Sequence, residues 1–120
     1  MEAMASMAVL VVDDNQELAE NIAEILGLRG VTAVIATSAE EALLKALPEG
    51  PGLLVTDFRL PGISGADLVR QIRARRQNVR AVVISAYTDD NTIAAAREAG
   101  ADFLPKPVDF AALSRVLDLA

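Results

Sequence analysis

The sequence contains neither cysteine nor histidine, and these two absences exclude several kinds of site. Without cysteine there are no disulfide bonds and no thiolate metal sites. Without histidine there is no imidazole general base and no imidazole metal ligand. Any metal ion must therefore be held by oxygen atoms, which favours a hard cation such as Mg²⁺.

Aromatic residues are also scarce, at 3%, whereas hydrophobic residues make up 52% of the chain. The 120 residues suffice for one compact domain, whose core must be built mainly from Val, Leu, Ile and Ala. The net charge of −6 argues against direct nucleic-acid binding, because phosphate contacts need a basic surface.

Long apolar runs are absent from the sequence, and none approaches the ~20 residues of a membrane span. The first seven residues lack the basic start and apolar core of a signal peptide. We therefore expect a cytoplasmic protein without membrane contact. We interpret residues 1–7 as a disordered leader and residues 8–120 as the folded domain.

Short apolar runs alternate with helical patterns along the chain. The runs are Ala8–Val12, Val31–Ala36, Leu53–Val55, Ala81–Ile84 and Phe103–Leu104. A first helix carries Leu18, Ile22, Ile25 and Leu26 on one face, and later helices are predicted to begin near Ser38, Ser64, Asp89 and Asp109. Strict alternation of this kind predicts an α/β fold, with a parallel sheet covered by helices on both faces.

Polar residues follow the apolar runs at the points where strands end. Asp13 and Asp14 follow the first run, Asp57 the third, Ser85 the fourth, and Lys106 stands just beyond the fifth. Because ligands bind beyond the carboxyl ends of the strands in such sheets, we expect these side chains to meet at one edge.

The chemistry of this group points to phosphoryl transfer. The three carboxylates repel one another, and a divalent cation, best Mg²⁺, relieves the repulsion. A carboxylate oxygen of Asp57 can then attack phosphorus, while the Lys106 ammonium and the Ser85 hydroxyl stabilise the phosphoryl oxygens.

The motifs around these residues resemble the response-regulator receiver family of two-component signalling, including chemotaxis receivers. The resemblance covers Val9 to Leu119, and it is carried by VLVVDDN at 9–15, LLVTDFRLPGISG at 53–65, VVISA at 82–86 and ADFLPKP at 101–107. It implies one five-stranded parallel sheet of flavodoxin-like order 2-1-3-4-5. It also implies a phosphorylation-dependent switch rather than an enzyme.

The same resemblance implies a role for each residue of the site. Asp57 would be both phosphoacceptor and metal ligand, with Asp14 binding Mg²⁺ directly and Asp13 mainly through water. The backbone carbonyl of Arg59 would complete the protein ligands. Ser85 would supply the hydroxyl that follows the phosphoryl group, and Phe103 would be the aromatic switch. The peptide between Lys106 and Pro107 would be cis and would aim the lysine into the site.

The residues two positions after Asp57 and two after Ser85 border the path of an attacking water. These are Arg59 and Tyr87, both large and neither suited to orienting water as a glutamine does. We expect them to prolong the life of the phosphorylated state, while the small Ala86 leaves access to the phosphodonor.

The family resemblance also indicates partners. A histidine kinase or phosphotransfer protein would supply the phosphoryl group. The fourth helix, fifth strand and fifth helix would form the working face and a possible homodimer contact. The fourth helix is alanine-rich, with Ile93 its sole large aliphatic side chain, so little apolar area anchors it.

Simpler interpretations of the same residues remain open at this point. Asp14 could cap the first helix with Glu17 as its partner. An aspartyl-phosphate hydrolase would also use an Asp nucleophile, but it needs a second carboxylate where this chain has Arg59. A flavodoxin-like cofactor binder would need a phosphate loop where this chain has Asp13 and Asp14. A basic run, Arg70, Arg73, Arg75, Arg76 and Arg80, fits a solvated helix end better than a nucleic-acid patch.

Overall fold

The computed structural model describes residues 8–46 and 51–119, so the predicted leader at 1–7 lies outside the described residues. The strands are β1 (Ala8–Val12), β2 (Thr32–Ala36), β3 (Leu53–Asp57), β4 (Arg80–Ser85) and β5 (Asp102–Pro105). The helices are α1 (Gln16–Gly27), α2 (Ala39–Lys45), α3 (Gly65–Arg75), α4 (Asp90–Glu98) and α5 (Phe110–Val116). The predicted alternation is confirmed.

Within the described residues the strands form one five-stranded sheet in the order β2-β1-β3-β4-β5. Every strand pair is parallel, as the predicted flavodoxin-like fold requires. The order in which strands are added to the sheet reverses after β2, so that β3 lies on the other side of β1. The carboxyl ends of β1 and β3 therefore lie side by side at the centre of one edge of the sheet.

The central strands are buried on both faces, which explains why they read as uninterrupted apolar runs. All of β3 is buried, whereas the edge strand β2 alternates between exposed and half-buried residues. One core cluster lies under α2, α3 and α4, and the other lies under α1 and α5. Their largest fully buried side chains include Ile22, Leu54, Leu68, Ile72 and Leu113.

Side-chain caps fix the starts of the helices. Ser38, Ser64, Asp89 and Asp109 each accept backbone N–H bonds from the first turn that follows, as predicted. The N-cap of α1 is Asn15, not Asp14 as the simpler interpretation had it. The Asn15 Oδ1 accepts the Leu18 N–H at 3.2 Å. Asp14 is therefore left available for another role.

The basic run at the end of α3 serves largely to satisfy local groups. Arg70 pairs with Asp67 at 3.1 Å, Arg73 donates to the Val79 carbonyl, and Arg75 donates to the Leu43 carbonyl. These contacts favour the solvated helix end over a nucleic-acid patch. Among the described residues, no helix has both the length and the apolar character needed to cross a membrane.

Candidate functional site

The predicted site residues converge at the carboxyl edge of the sheet. Asp13 follows the last residue of β1, Asp57 is the last residue of β3, and Ser85 is the last residue of β4. The side chains of Asp13, Asp57 and Ser85 are buried, with residue exposures of 1%, 6% and 0%. Burying several polar groups together costs folding free energy unless they are paired. Their presence here therefore indicates a functional site rather than an ordinary set of strand ends.

Lys106 reaches this group from the loop after β5. Its Nζ lies 3.1 Å from Asp13 Oδ2 and 3.2 Å from Asp57 Oδ1. The Lys106 backbone is held in place because its N–H donates to the Ser85 carbonyl at 2.8 Å. The peptide between Lys106 and Pro107 is cis, as the family resemblance implied. A single ammonium therefore bridges two buried carboxylates.

The electrostatics of Asp57 differ from those of an ordinary surface carboxylate. Burial raises the pKa of Asp57 above its usual value, the nearby Asp13 carboxylate raises it further, and Lys106 acts in the opposite direction. Burial lowers the pKa of Lys106, but the carboxylates of Asp13 and Asp57 outweigh that effect and raise it overall. The site therefore holds an excess of negative charge that the one lysine does not fully balance.

Three carboxylates are close enough together to hold a metal ion. Oxygen atoms of Asp13, Asp14 and Asp57 all lie within 4.8 Å of one another. Asp13 Oδ2 is buried, and the Lys106 ammonium lies 3.1 Å from it. Asp14 is exposed and supplies the solvent-facing side of the cluster. Hard oxygen donors clustered this closely, with one lysine against three carboxylates, fit a divalent cation.

Gly65, the first residue of α3, packs against the end of β3. Its N–H donates to the Phe58 carbonyl at 2.7 Å. A Cβ at this position would stand 2.2 Å from the Asp57 carbonyl oxygen, so only glycine fits here. The start of α3 is thus packed directly on the backbone of Asp57.

Arg59 and Tyr87 lie in contact beside the site. The Arg59 Cζ is 4.2 Å from the centroid of the Tyr87 ring, a cation–π distance. The Tyr87 N–H donates to Ser85 Oγ at 2.9 Å, so the buried hydroxyl is already engaged by the loop that follows it. The two large side chains are thus in contact with each other rather than separate in solvent.

The remaining predicted residues occupy the β4 and β5 side of the site. Phe103 is partly buried, packs against the core cluster under α4, and lies opposite Val83 in the sheet register. Ala86 is exposed directly after Ser85. A small residue at this exposed position leaves space above the hydroxyl.

A groove next to the site was not predicted from the sequence. It has a volume of about 580 Å³ and runs from Asn15 and Lys106 along α1 and the loop before α5. Apolar side chains of Leu18, Ile25 and Phe110 line it, and Glu17 and Glu24 stand on its acidic rim. These half-buried apolar residues give no sequence signal for the groove, because two segments that are distant in the chain build it together.

Comparison with known proteins is in accord with this geometry. Residues 9–118 match the family model described as the response regulator receiver domain. A response regulator receiver protein of Anaeromyxobacter sp. (strain Fw109-5) is 43% identical over 111 residues, which make up 92% of this chain and 45% of that protein. The chain spans about half the length of the first curated relatives that it matches.

Two solved structures share the fold and considerable sequence. The crystal structure of a response regulator receiver protein from Pseudomonas putida has a TM-score of 0.86 at 39% identity and covers 97% of this chain and 98% of that one. A response regulator from Burkholderia pseudomallei, with a phosphorylated aspartic acid, a calcium ion and citrate, has a TM-score of 0.86 at 28% identity. That match covers 93% of this chain and 66% of that chain.

Proposed function

This chain belongs to the response regulator receiver domain family, and we propose that Asp57 is the residue that accepts its phosphoryl group. Receiver domains are signalling switches rather than classical enzymes, and this one is consistent with a phosphorylation-dependent switch. The observation that carries the assignment is the position of Asp57 Oδ1, 3.2 Å from Lys106 inside a cluster of three carboxylates.

The proposed transfer is an in-line substitution at phosphorus. A carboxylate oxygen of Asp57 forms the new P–O bond while the P–N bond of a phosphohistidine breaks. The electron pair of that bond leaves with the imidazole nitrogen of the donor. Lys106 is positioned for the charge on the phosphoryl oxygens, and the Ser85 hydroxyl can donate to one of them.

We propose Mg²⁺ as the cation of the acidic cluster. Asp14 and Asp57 would hold it directly, Asp13 mainly through water, and the Arg59 backbone carbonyl would complete the protein ligands. When bound, the ion would neutralise the negative charge that builds up on the phosphoryl oxygens. The close cluster of three carboxylates and its oxygen-only donors support a hard divalent ion.

The phosphodonor is proposed to be a histidine kinase or a phosphotransfer protein, acting in the cytoplasm. The groove beside Lys106 is near enough to the site to hold part of such a donor. Its apolar floor and its rim of Glu17 and Glu24 suit an amphipathic helix with basic flanks. The face formed by α4, β5 and α5 is proposed for the output contact, including a homodimer.

The assignment is tested by intact-mass measurement with a small-molecule phosphodonor and Mg²⁺. We expect a phosphoryl adduct on the wild-type chain and none on Asp57→Asn, which keeps the shape but removes the nucleophile. Asp67→Asn is the matched control, because Asp67 is an exposed aspartate on α3. Equal adduct yields on wild type and Asp57→Asn would disprove the assignment.

A further inference from the structure

Arg59 and Tyr87 join the two loops that flank Asp57, one after β3 and the other after β4. The guanidinium of Arg59 stacks on the Tyr87 ring at 4.2 Å, while 49% of Tyr87 remains exposed. A cation over a half-exposed ring is a weak contact that is readily broken and re-formed. The stack is therefore suited to respond to a change of charge nearby.

The inner end of this contact reaches the phosphorylation site. The Tyr87 N–H donates to Ser85 Oγ at 2.9 Å, and Ser85 is completely buried. A hydroxyl that rotates or shifts to donate to a phosphoryl oxygen alters its geometry as an acceptor for Tyr87. The position of Tyr87 thus depends on what Ser85 bonds.

The outer end reaches the start of α4. Asp89, two residues after Tyr87, is the N-cap of that helix, accepting the Thr92 N–H at 3.2 Å and the Thr92 hydroxyl at 2.9 Å. Hydrogen bonds from Thr92 lower the pKa of Asp89, and the positive charge of Arg59 acts in the same direction. Arg59 is therefore within electrostatic reach of the carboxylate that caps α4.

We propose that Arg59 and Tyr87 are positioning residues that carry the state of Asp57 to the N-cap of α4. The inference rests on the proposed phosphorylation of Asp57. On phosphorylation the Ser85 hydroxyl turns toward the phosphoryl group and loosens the Tyr87 amide, while the added negative charge draws Arg59 away from Tyr87 and Asp89. The cap weakens, and the first turn of α4 opens more often. This route does not pass through Phe103.

The chain offers a direct probe of the stack, because Tyr87 is the one tyrosine and there is no tryptophan. Intrinsic fluorescence therefore reports on position 87 alone. We expect Arg59→Ala to raise the quenching of Tyr87 by acrylamide, and beryllofluoride with Mg²⁺ to raise it in wild type toward the same value. Arg29→Ala, which removes an exposed arginine after α1, should leave it unchanged. Equal quenching in wild type and Arg59→Ala would overturn the proposal.

Hydrogen exchange followed by NMR measures the consequence in α4. Without beryllofluoride, the Thr92 and Ile93 amides should exchange roughly two- to fivefold faster in Arg59→Ala than in wild type, as expected from loss of a weak surface contact. Beryllofluoride should then change these amides less than half as much as in wild type. The response of the Phe103 amide should be retained, which a merely destabilised fold would not spare.

The outcomes separate the two proposals. A full beryllofluoride response of Thr92 in Arg59→Ala would reject the link through Arg59 and leave phosphorylation of Asp57 intact. A wild-type chain that shows no response at any amide would overturn the proposed function together with this inference. Retained Phe103 response with a reduced Thr92 response supports the link.

Discussion

Helices α3 and α4 both begin at the candidate site, yet they are anchored very differently. α3 follows β3, the strand that ends at Asp57, and buries Leu68, Val69 and Ile72 completely. α4 follows the Ser85 strand, and its buried residues are Thr92 and Ala96. Because apolar burial contributes ~25 cal/mol per Å², the larger side chains hold α3 much more firmly. The site thus has one fixed wall and one that can shift.

The beginnings of the two helices show the same contrast. α3 starts with Gly65 pressed against the Asp57 carbonyl, where no side chain fits. α4 starts with the exposed cap Asp89, which is linked to the site through Tyr87 and Arg59. The rigid start of α3 holds the backbone of Asp57 in place, whereas the weakly held start of α4 is the part that we expect to shift on phosphorylation.

The largest expected effect is on the free energy of unfolding, when one isoleucine in each helix is replaced by alanine. Ile72→Ala removes a completely buried side chain from α3 and should lower the free energy of unfolding by about 3 kcal/mol. Ile93→Ala removes a partly buried one from α4 and should cost about 1 kcal/mol. Urea denaturation measures both. Equal losses would break the contrast between the helices.

A second prediction concerns the close approach of α3 to Asp57. Gly65→Ala should destabilise the fold by about 1–3 kcal/mol and slow phosphorylation, because the new methyl group must push the Asp57 carbonyl aside. Gly27→Ala is the control, since nothing lies within 4 Å of a Cβ at that helix end. Unchanged stability and phosphorylation in Gly65→Ala would show that this wall is less rigid than we infer.

A third prediction tests the cation proposed for the acidic cluster of Asp13, Asp14 and Asp57. Saturating Mg²⁺ should raise the melting temperature of wild type, since a ligand at 100 times its Kd adds about 2.7 kcal/mol. The rise should largely disappear in Asp14→Ala but persist in Asp102→Ala, which removes an exposed aspartate at the start of β5. A rise of equal size in all three chains argues against Asp14 as a ligand.

The smallest predicted effect concerns Arg59 and Tyr87, the two large side chains that border the water path to Asp57. In Arg59→Asn/Tyr87→Glu the shielding pair is replaced by residues able to orient water. Phospho-Asp57 should decay faster by a factor of a few, on the order of 1 kcal/mol in the barrier. The decay is followed by intact mass after removal of the phosphodonor. Decay as slow as in wild type would refute the shielding.

Much of the fold was predictable because its signals are local. The buried strands β1, β3 and β4 each contain a continuous apolar run. The caps Ser38, Ser64, Asp89 and Asp109 stand at the helix starts that they predict. Strand ends were less well predicted, because backbone pairing extends β3 to the polar Asp57 and β5 to Pro105.

For the site, the sequence predicted which residues lie at the carboxyl ends of neighbouring parallel strands, and little more. The sequence order placed Asp13, Asp57 and Ser85 at one edge. It did not distinguish Asn15 from Asp14 as the cap of α1, because both are good caps and the choice depends on a one-residue shift. The Arg59–Tyr87 stack and the Gly65 contact arise between separate loops, which no local pattern describes.

The contrast between α3 and α4 is tested most directly by hydrogen exchange of the wild-type chain with and without beryllofluoride and Mg²⁺. We expect the amides of Thr92, Ile93 and Ala96 in α4 to change most. The amides of Leu68 and Val69 in α3 should keep their exchange rates within about twofold, because their side chains stay buried. Equal or larger changes in α3, with α4 unaltered, would contradict the account.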